Sequence, residues 1–254
     1  MIFETHAHYD DAAYDEDRDI LLASMQESQI EVIVNVGASL PSTAASIALA
    51  EKYPFVYAAA GVHPSETTEL NEETFAQLVR QCTHKKVVAV GEIGLDYYWE
   101  EPAHDVQTLW FVRQLELAKR IKKPVIIHSR EAAKDTYDIL AAHNAGENGG
   151  VIHCFSYSAE MAEAYIKMGF YIGIGGVITF KNAKKLKEVV TAIPIERILL
   201  ETDCPYLSPE PKRGSRNSSH NLPYIAQKIA EIKRMSYDEV VTRTAENARK
   251  MYRI

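Results

Sequence analysis

Two histidines, His6 and His8, stand one residue apart near the start of the chain. On a β-strand, residues i and i+2 point to the same side, so both imidazoles would present a nitrogen to one point while Ala7 points away. Such a pair could hold a metal ion. By itself it fits equally well with two histidines that are satisfied in the core or lie on the surface.

Further potential ligands follow at the ends of short apolar runs, and these are Glu92, His128, His153 and Asp203. If these runs are strands of one parallel barrel, their ends meet at one mouth. Together with His6 and His8 the set contains four imidazoles and two carboxylates. One catalytic zinc ion usually takes three protein ligands. The larger set predicts two divalent cations about 3.5–4 Å apart.

We expect Glu92 to bridge the two cations, because a carboxylate has two oxygens and this strand lies between the others. One cation would take His6, His8, Glu92 and Asp203, and the other would take Glu92, His128 and His153. A bound metal lowers the pKa of its water to about 7, so that hydroxide attacks at neutral pH. Asp203 could accept and pass on the proton, which makes Glu92 and Asp203 the expected catalytic residues. Magnesium, manganese and zinc all remain open.

Neighbouring residues are assigned by the same alternation along the strands. Glu201 would lie one layer below Asp203, either holding His6 or His8 by a hydrogen bond or pairing within the barrel core. Cys154 and Cys204 would point toward the helices as buried spacers.

Residues for the substrate are sought at the same strand ends. His63 could contact substrate or a metal. Arg130, Arg213 and Arg216 could hold an anion such as a phosphate, although a basic loop is often only a solvated surface. The run Tyr97, Tyr98 and Trp99 could stack a base or a sugar, or could cover the rim of the barrel.

Eight apolar runs must position these residues, and most lack the strict polar alternation of half-buried strands. They lie at 1–5, 31–37, 56–62, 86–93, 124–128, 150–154, 170–175 and 197–203. Helix-like segments alternate with them at 16–29, 42–53, 72–83, 105–122, 131–144, 159–168 and 182–192, and two more follow at 219–234 and 236–250.

This alternation predicts an α/β fold with a parallel sheet. The chain has 254 residues, close to the ~250 of a (β/α)₈ TIM barrel. We therefore predict one (β/α)₈ TIM-barrel domain over 1–254. An open doubly wound sheet is the rival, but no glycine-rich G-x-G-x-x-G turn follows the first strand.

Composition limits the possible partners. The net charge of −7 argues against wrapping of duplex DNA by charge alone. Three cysteines give no disulfide framework and suit a reducing cytoplasm. No signal-like segment or membrane-length apolar run is present. We expect a cytoplasmic protein with no membrane contact, and nothing in the sequence indicates an obligate protein partner.

The ordered motifs resemble the TatD family of metal-dependent hydrolases and deoxyribonucleases along nearly the whole chain. The resemblance is carried by THAHYD at 5–10, GVHP at 61–64, GEIGLDYYW at 91–99, IIHSR at 126–130, IHCFS at 152–156 and ETDCPYLSP at 201–209. It implies a (β/α)₈ barrel and a two-metal site on the six residues above. It also implies phosphodiester hydrolysis, commonly removal of nucleotides from single-stranded DNA in the 3′-to-5′ direction, with RNA also open. RGSRN at 213–217 looks like the family's basic loop.

Three functions are weighed on this basis. The first is a metal-dependent nuclease acting on single-stranded nucleic acid. The second is an amidohydrolase-type deacylase or esterase, for example on aminoacyl-RNA, which would use the same metals on a carbonyl. The third is a non-enzymatic metal-binding protein. It is disfavoured because structural metal sites tend to fill every coordination position, whereas this set faces an open mouth.

Overall fold

The apolar runs form the strands of one sheet, because Val- and Ile-rich segments without polar alternation are suited to burial on both faces. The computed structural model describes residues 1–254. The strands are β1 Ile2–Ala7, β2 Ile30–Val36, β3 Val56–Ala60, β4 Val87–Asp96, β5 Val125–Arg130, β6 Gly150–Ile152, β7 Phe170–Ile174 and β8 Ile198–Leu200.

The first seven helices connect each strand to the next, and the last two follow β8. They are α1 Arg18–Ala23, α2 Leu40–Lys52, α3 Glu72–Cys82, α4 His104–Ile121, α5 Ala133–Ala142, α6 Ala159–Lys167, α7 Lys184–Ala192, α8 Leu222–Lys233 and α9 Tyr237–Tyr252. Asn71 caps α3 by accepting from the backbone N–H groups of Glu73 and Thr74, a role that asparagine often takes at a helix start. None of the helices is long and apolar enough to cross a membrane.

The strands pair in parallel in the order β1 to β8. The two ends of the sheet meet where Ala7 pairs with Cys204. The N–H of His8 donates to the carbonyl oxygen of Cys204 at 2.9 Å, and the N–H of Asp203 donates to that of His6 at 3.0 Å. The predicted (β/α)₈ barrel is confirmed, and its closure lies among the expected metal ligands.

The barrel interior is filled directly beneath those ligands. Ile126, Val151 and Leu199 are buried. Each lies two residues before a residue of the site, which is His128, His153 or Glu201 respectively. Burying such side chains stabilises the fold by about 1.5–3 kcal/mol each. Helix α9 packs on this interior cluster through Ala245, Ala248, Met251 and Tyr252. The rigid layer fixes the strand ends that carry the site.

Some element limits differ from the predicted ones. Helix α1 is shorter than 16–29, β4 continues to Asp96, and β8 ends before Glu201. The buried face of α4 carries two glutamines among apolar side chains such as Trp110 and Phe111. Gln107 accepts a hydrogen bond from the N–H of Asp96, and Gln114 accepts one from the N–H of Val62.

Candidate metal centre

Six strand-end side chains come together at the carboxyl end of the barrel. His8, Glu92, His128, His153 and Asp203 line a cavity of about 440 Å³. His6 lies just below it and is 1% exposed. All the sequence-predicted metal ligands therefore share one site. Asp10, Asp11, Ser39, Ser42, His63, Ser65, Glu66 and Tyr206 line the rest of the cavity, along with Ala38.

Glu92 occupies the middle of the cluster and its two oxygens face different histidines. Oε2 lies 3.4 Å from His6 Nε2 and 3.9 Å from His8 Nε2. Oε1 lies 2.8 Å from His128 Nδ1 and 3.5 Å from His153 Nε2. The two oxygens thus define a first group, His6 and His8, and a second group, His128 and His153, which touch where the rings of His6 and His153 stack.

Asp203 lies beside the first group, at the cavity side of His6 and His8. Its Oδ1 lies 3.3 Å from His8 Nε2, 3.7 Å from His6 Nε2 and 3.9 Å from His153 Nε2. β8 has already ended, and Asp203 adopts a left-handed backbone with φ of 58°. Aspartate tolerates this conformation better than most residues. The turn, held by the hydrogen bond to His6, places the carboxylate over the cavity.

The histidine rings are oriented by partners on their far sides. His8 Nδ1 lies 2.8 Å from the carbonyl oxygen of Val36. His128 Nε2 lies 3.1 Å from Asp96 Oδ2, and His153 Nδ1 lies 3.3 Å from Glu201 Oε1. Such partners fix which nitrogen faces the cavity and raise its basicity, as is usual for histidines that bind metals.

The electrostatics of the cluster follow from burial and mutual contact. Burial would raise the pKa of Glu92, but His153, His128 and His6 hold it well below its usual range. Burial would lower the pKa of His153, but Glu201, Glu92 and Asp203 raise it to about 10. Glu92 is therefore anionic, and it attracts positive charge to this point.

A divalent cation fits this set of donors. The Nε2 atoms of His6 and His8 face each other at 3.1 Å, and the rings of His6 and His153 stack with centroids 3.6 Å apart. Nitrogen lone pairs and carboxylates crowded without lysine or arginine are well matched to a shared cation. Four sets of donors each have their atoms within 4.8 Å of one another: the first is His6, His8 and Asp203, the second is His63, Glu92 and His128, and two more place His153 with His6 and Glu201 and with Cys154 and Asp203.

His63, which the sequence assigned to substrate or metal, joins the second of these sets. Its Nε2 lies 3.9 Å from Glu92 Oε1, and its Nδ1 accepts from the N–H of Ser65 at 3.1 Å. Burial and the neighbouring His128 lower the pKa of His63 to about 3. The ring is thus neutral, with a nitrogen directed at the cluster.

Of the two roles expected for Glu201, the structure shows the buried pairing inside the barrel. Its Oε1 lies 3.3 Å from His153 Nδ1 and accepts from the N–H of Cys154 at 2.6 Å, whereas His8 is held by Val36. A second expectation from strand alternation needs correction. Cys154 does not point toward the helices, because its sulfur lies within 4.8 Å of donor atoms of His153 and Asp203. β6 ends at Ile152, and Cys154 has a φ of 45°, so alternation no longer applies there. Cys204 is fully buried, as expected.

Asp96 was missed because the sequence placed the end of β4 too early. Glu92, Gly94 and Asp96 alternate on one strand, so extending the strand by three residues brings a second carboxylate to the same face. Besides orienting His128, Asp96 accepts from the N–H of Tyr98 through Oδ1 at 3.0 Å.

The three predicted substrate arginines lie outside the cavity lining. Arg130 is exposed and stacks on Tyr98 at 3.7 Å from the ring centroid. Arg213 lies over Phe180 and is 59% exposed. Arg216 has another role, because its guanidinium binds Asp17 through both terminal nitrogens and also donates to the carbonyl oxygen of Ala13. It fastens the 204–218 loop to the segment before α1.

A closed parallel barrel with histidines and carboxylates at the carboxyl ends of its strands defines the class of metal-dependent TIM-barrel hydrolases. The family model described as "TatD related DNase" matches residues 3–253. The chain belongs to the TatD family.

Relatives of the whole chain agree with this assignment. The uncharacterized metal-dependent hydrolase YabD of Bacillus subtilis is 44% identical and covers 100% of both chains. The uncharacterized metal-dependent hydrolase TatD of Mycobacterium tuberculosis is 36% identical, covering 98% of this chain and 97% of that protein. The crystal structure of YjjV, a TatD homologue from Escherichia coli, is 31% identical with a TM-score of 0.94, covering 100% and 98%.

Proposed function

We propose that this protein is a divalent-metal-dependent deoxyribonuclease that removes nucleotides from the 3′ end of single-stranded DNA, with RNA as a further possible substrate. Membership of a family described by DNase activity supports the reaction class. The single observation that carries the proposal is Glu92, whose Oε2 faces His6 and His8 while its Oε1 faces His128 and His153. A carboxylate so placed could bridge two cations of the kind that two-metal phosphodiester hydrolysis uses.

The proposed ligands of one cation are His6, His8, Glu92 and Asp203, and those of the other are Glu92, His128 and His153. His63 is placed to complete the second group or to meet the substrate. Metals in these positions would polarise the phosphoryl oxygen and make water more acidic. Magnesium, manganese or zinc would serve, because both nitrogen and oxygen donors are offered.

The protein's own groups would then orient the substrate and move the proton. Asp203, 17% exposed at its side chain, is the carboxylate nearest the open cavity in the first group and would accept a proton from the attacking water. Arg130 and Arg213 would meet phosphates outside the cavity. Arg216 is not included, because Asp17 already neutralises it. Three free cysteines are in keeping with work in the cytoplasm.

The test is hydrolysis of an end-labelled single-stranded oligonucleotide with added magnesium, manganese or zinc. A chelator control and the Asp203→Asn variant accompany it. Stepwise loss from the 3′ end that requires both metal and Asp203 is the expected result. Cleavage that persists in excess chelator would contradict the proposal.

One observation favours the second candidate, an amidohydrolase-type deacylase or esterase. None of the residues lining the cavity is lysine or arginine, and a neutral carbonyl substrate needs no cationic side chain there. Protein that binds metal, hydrolyses aminoacyl or simple ester substrates and leaves every oligonucleotide intact would establish this alternative.

A further inference from the structure

Two large aromatic side chains are exposed just beyond the metal centre. Tyr98 is 48% exposed and Trp99 is 55% exposed, immediately after β4. Their rings meet edge to face, with centroids 4.7 Å apart and planes at 90°. Single exposed apolar residues are common on protein surfaces. An adjacent pair at the carboxyl end of a barrel strand, where substrates bind, is a more specific feature.

A positively charged side chain, that of Arg130, belongs to the same patch. The guanidinium of Arg130 lies 3.7 Å from the centroid of the Tyr98 ring. The backbone is fixed nearby, because the N–H of Tyr97 donates to the carbonyl oxygen of Arg130 at 2.9 Å. A guanidinium stacked on a ring keeps its N–H edge free for a phosphate, while the aromatic surface beside it suits a base. We call Tyr98, Trp99 and Arg130 the rim patch.

The rim patch is connected to a proposed metal ligand by one side chain. Asp96 contacts His128 Nε2 through Oδ2 and accepts from the N–H of Tyr98 through Oδ1. Trp99 is three residues beyond Asp96, a span of at most ~11 Å. Phosphates of one DNA strand advance ~3.4 Å each along a duplex. The rim patch therefore lies within a few nucleotides of His128 along a bound strand.

From this geometry we infer that the rim patch is a nucleobase subsite, in which an unpaired base stacks on Trp99 and Tyr98 while Arg130 contacts the adjoining phosphate. The inference rests on the proposed nuclease function and adds the residues that recognise the strand. Stacking of this type accepts any base, because every base has a π-face. It also selects single strands, since bases in a duplex are already stacked on one another.

The experiment compares two substrates in the metal-loaded enzyme. One is a single-stranded oligonucleotide, and the other is methyl p-nitrophenyl phosphate, a phosphodiester without a base. Trp99→Ala is expected to raise KM for the oligonucleotide about 5- to 150-fold, the range for loss of one stacked base. Its kinetics on the small diester should match those of the wild type. Tyr224→Ala is the matched control, because Tyr224 is 39% exposed on α8.

An abasic site moved along the oligonucleotide locates the stacked base. At one position near the 3′ end, the abasic site should raise the KM of the wild type as much as Trp99→Ala does. It should not raise the KM of the Trp99→Ala variant further, because both changes remove the same contact. If the abasic site and Trp99→Ala raise KM independently, so that their effects add at every position, the inference is overturned.

Fluorescence provides a readout that does not depend on turnover. The chain has two tryptophans, and Trp110 is buried at 6% exposure. Stopped-flow mixing with oligonucleotide should quench the emission of Trp99 transiently, and Trp99→Phe should abolish that quench. If the wild type cleaves both substrates, but the variants show the same KM and the same quenching as the wild type, the nucleobase subsite is refuted and the proposed function stands. Wild type that cleaves neither substrate refutes the proposed function and the inference with it.

Discussion

The contact between Glu201 and His153 offers a sharp test of how the site holds metal. Glu201 is 1% exposed, and its Oε1 lies 3.3 Å from His153 Nδ1. The same oxygen accepts from the N–H of Cys154 at 2.6 Å. In Glu201→Gln the amide oxygen can keep the Cys154 hydrogen bond, so the substitution removes the charge beside the ring with little change of shape.

The magnitude follows from two limits. Two unit charges 3.3 Å apart interact by about 5 kcal/mol at an effective dielectric constant of 20, which is an upper bound because the metal shares the charge of the ring. Removing a carboxylate partner of a metal-bound histidine typically lowers metal affinity 10- to 100-fold, or about 1.4–2.7 kcal/mol. We expect Glu201→Gln to lower the affinity for the cation that His153 binds by a factor within this range.

Competition with a chromophoric chelator measures the affinity, and a thermal melt in excess chelator checks that the metal-free fold is intact. Glu188→Gln, an exposed change on α7, is the matched control. Asp96→Asn, which removes the carboxylate beside His128, should weaken the metal that His128 binds by a similar factor. Wild-type affinity in Glu201→Gln, with an unchanged fold, would refute the view that Glu201 strengthens His153 as a ligand.

Three further predictions concern the whole molecule. Gly94→Ala should lower Tm by several degrees, because Gly94 has φ of +149° and a Cβ there would lie 1.9 Å from the carbonyl oxygen of His128; an unchanged melt contradicts this close approach. Stripping metal with chelator should lower Tm by about 5–10 °C, if free metal stands near 100 times its Kd; equal melts with and without metal would mean that no metal is bound. Burial raises the pKa of Cys82 and Cys204 to about 12, and burial with nearby carboxylates raises that of Cys154 further. A disulfide reagent at pH 8 should therefore label the three thiols quickly only after unfolding, and rapid labelling of the native protein would oppose this.

Much of the fold could be predicted because its signals are local. Runs such as 124–128 and 170–175 are continuous in the sequence, and their apolar character is set by burial on both faces. Alternation within a strand also predicted the pairing of His6 with His8 at one point. The order of the runs, with helices between them, left few topologies open.

The errors occur where regular structure ends. Cys154 and Asp203 both have positive φ, and a single left-handed residue turns the following chain out of the alternation on which the prediction depended. The end of β4 was equally hidden. Asp96 belongs to that strand because it pairs with Arg130 of β5, a contact that cannot be read from β4 alone.

Arg216 shows the same limit for charged loops. Its position in a basic motif suggested a substrate contact, yet its guanidinium forms an ion pair with Asp17, which is distant in the sequence. Arg130 does lie at the end of β5, two residues beyond His128, as the sequence predicts, and its stacking on Tyr98 was unforeseen.

The sequence by itself determined the barrel, and it placed the candidate metal ligands at one common end of the sheet, because these depend on residue type and short-range periodicity. Only the tertiary structure decided which oxygen of Glu92 faces which histidine, that Asp96 and Glu201 orient the rings, and that Arg216 is already paired. Those facts depend on distances between strands that are far apart in the chain, and such distances are fixed by closure of the barrel and packing of its interior.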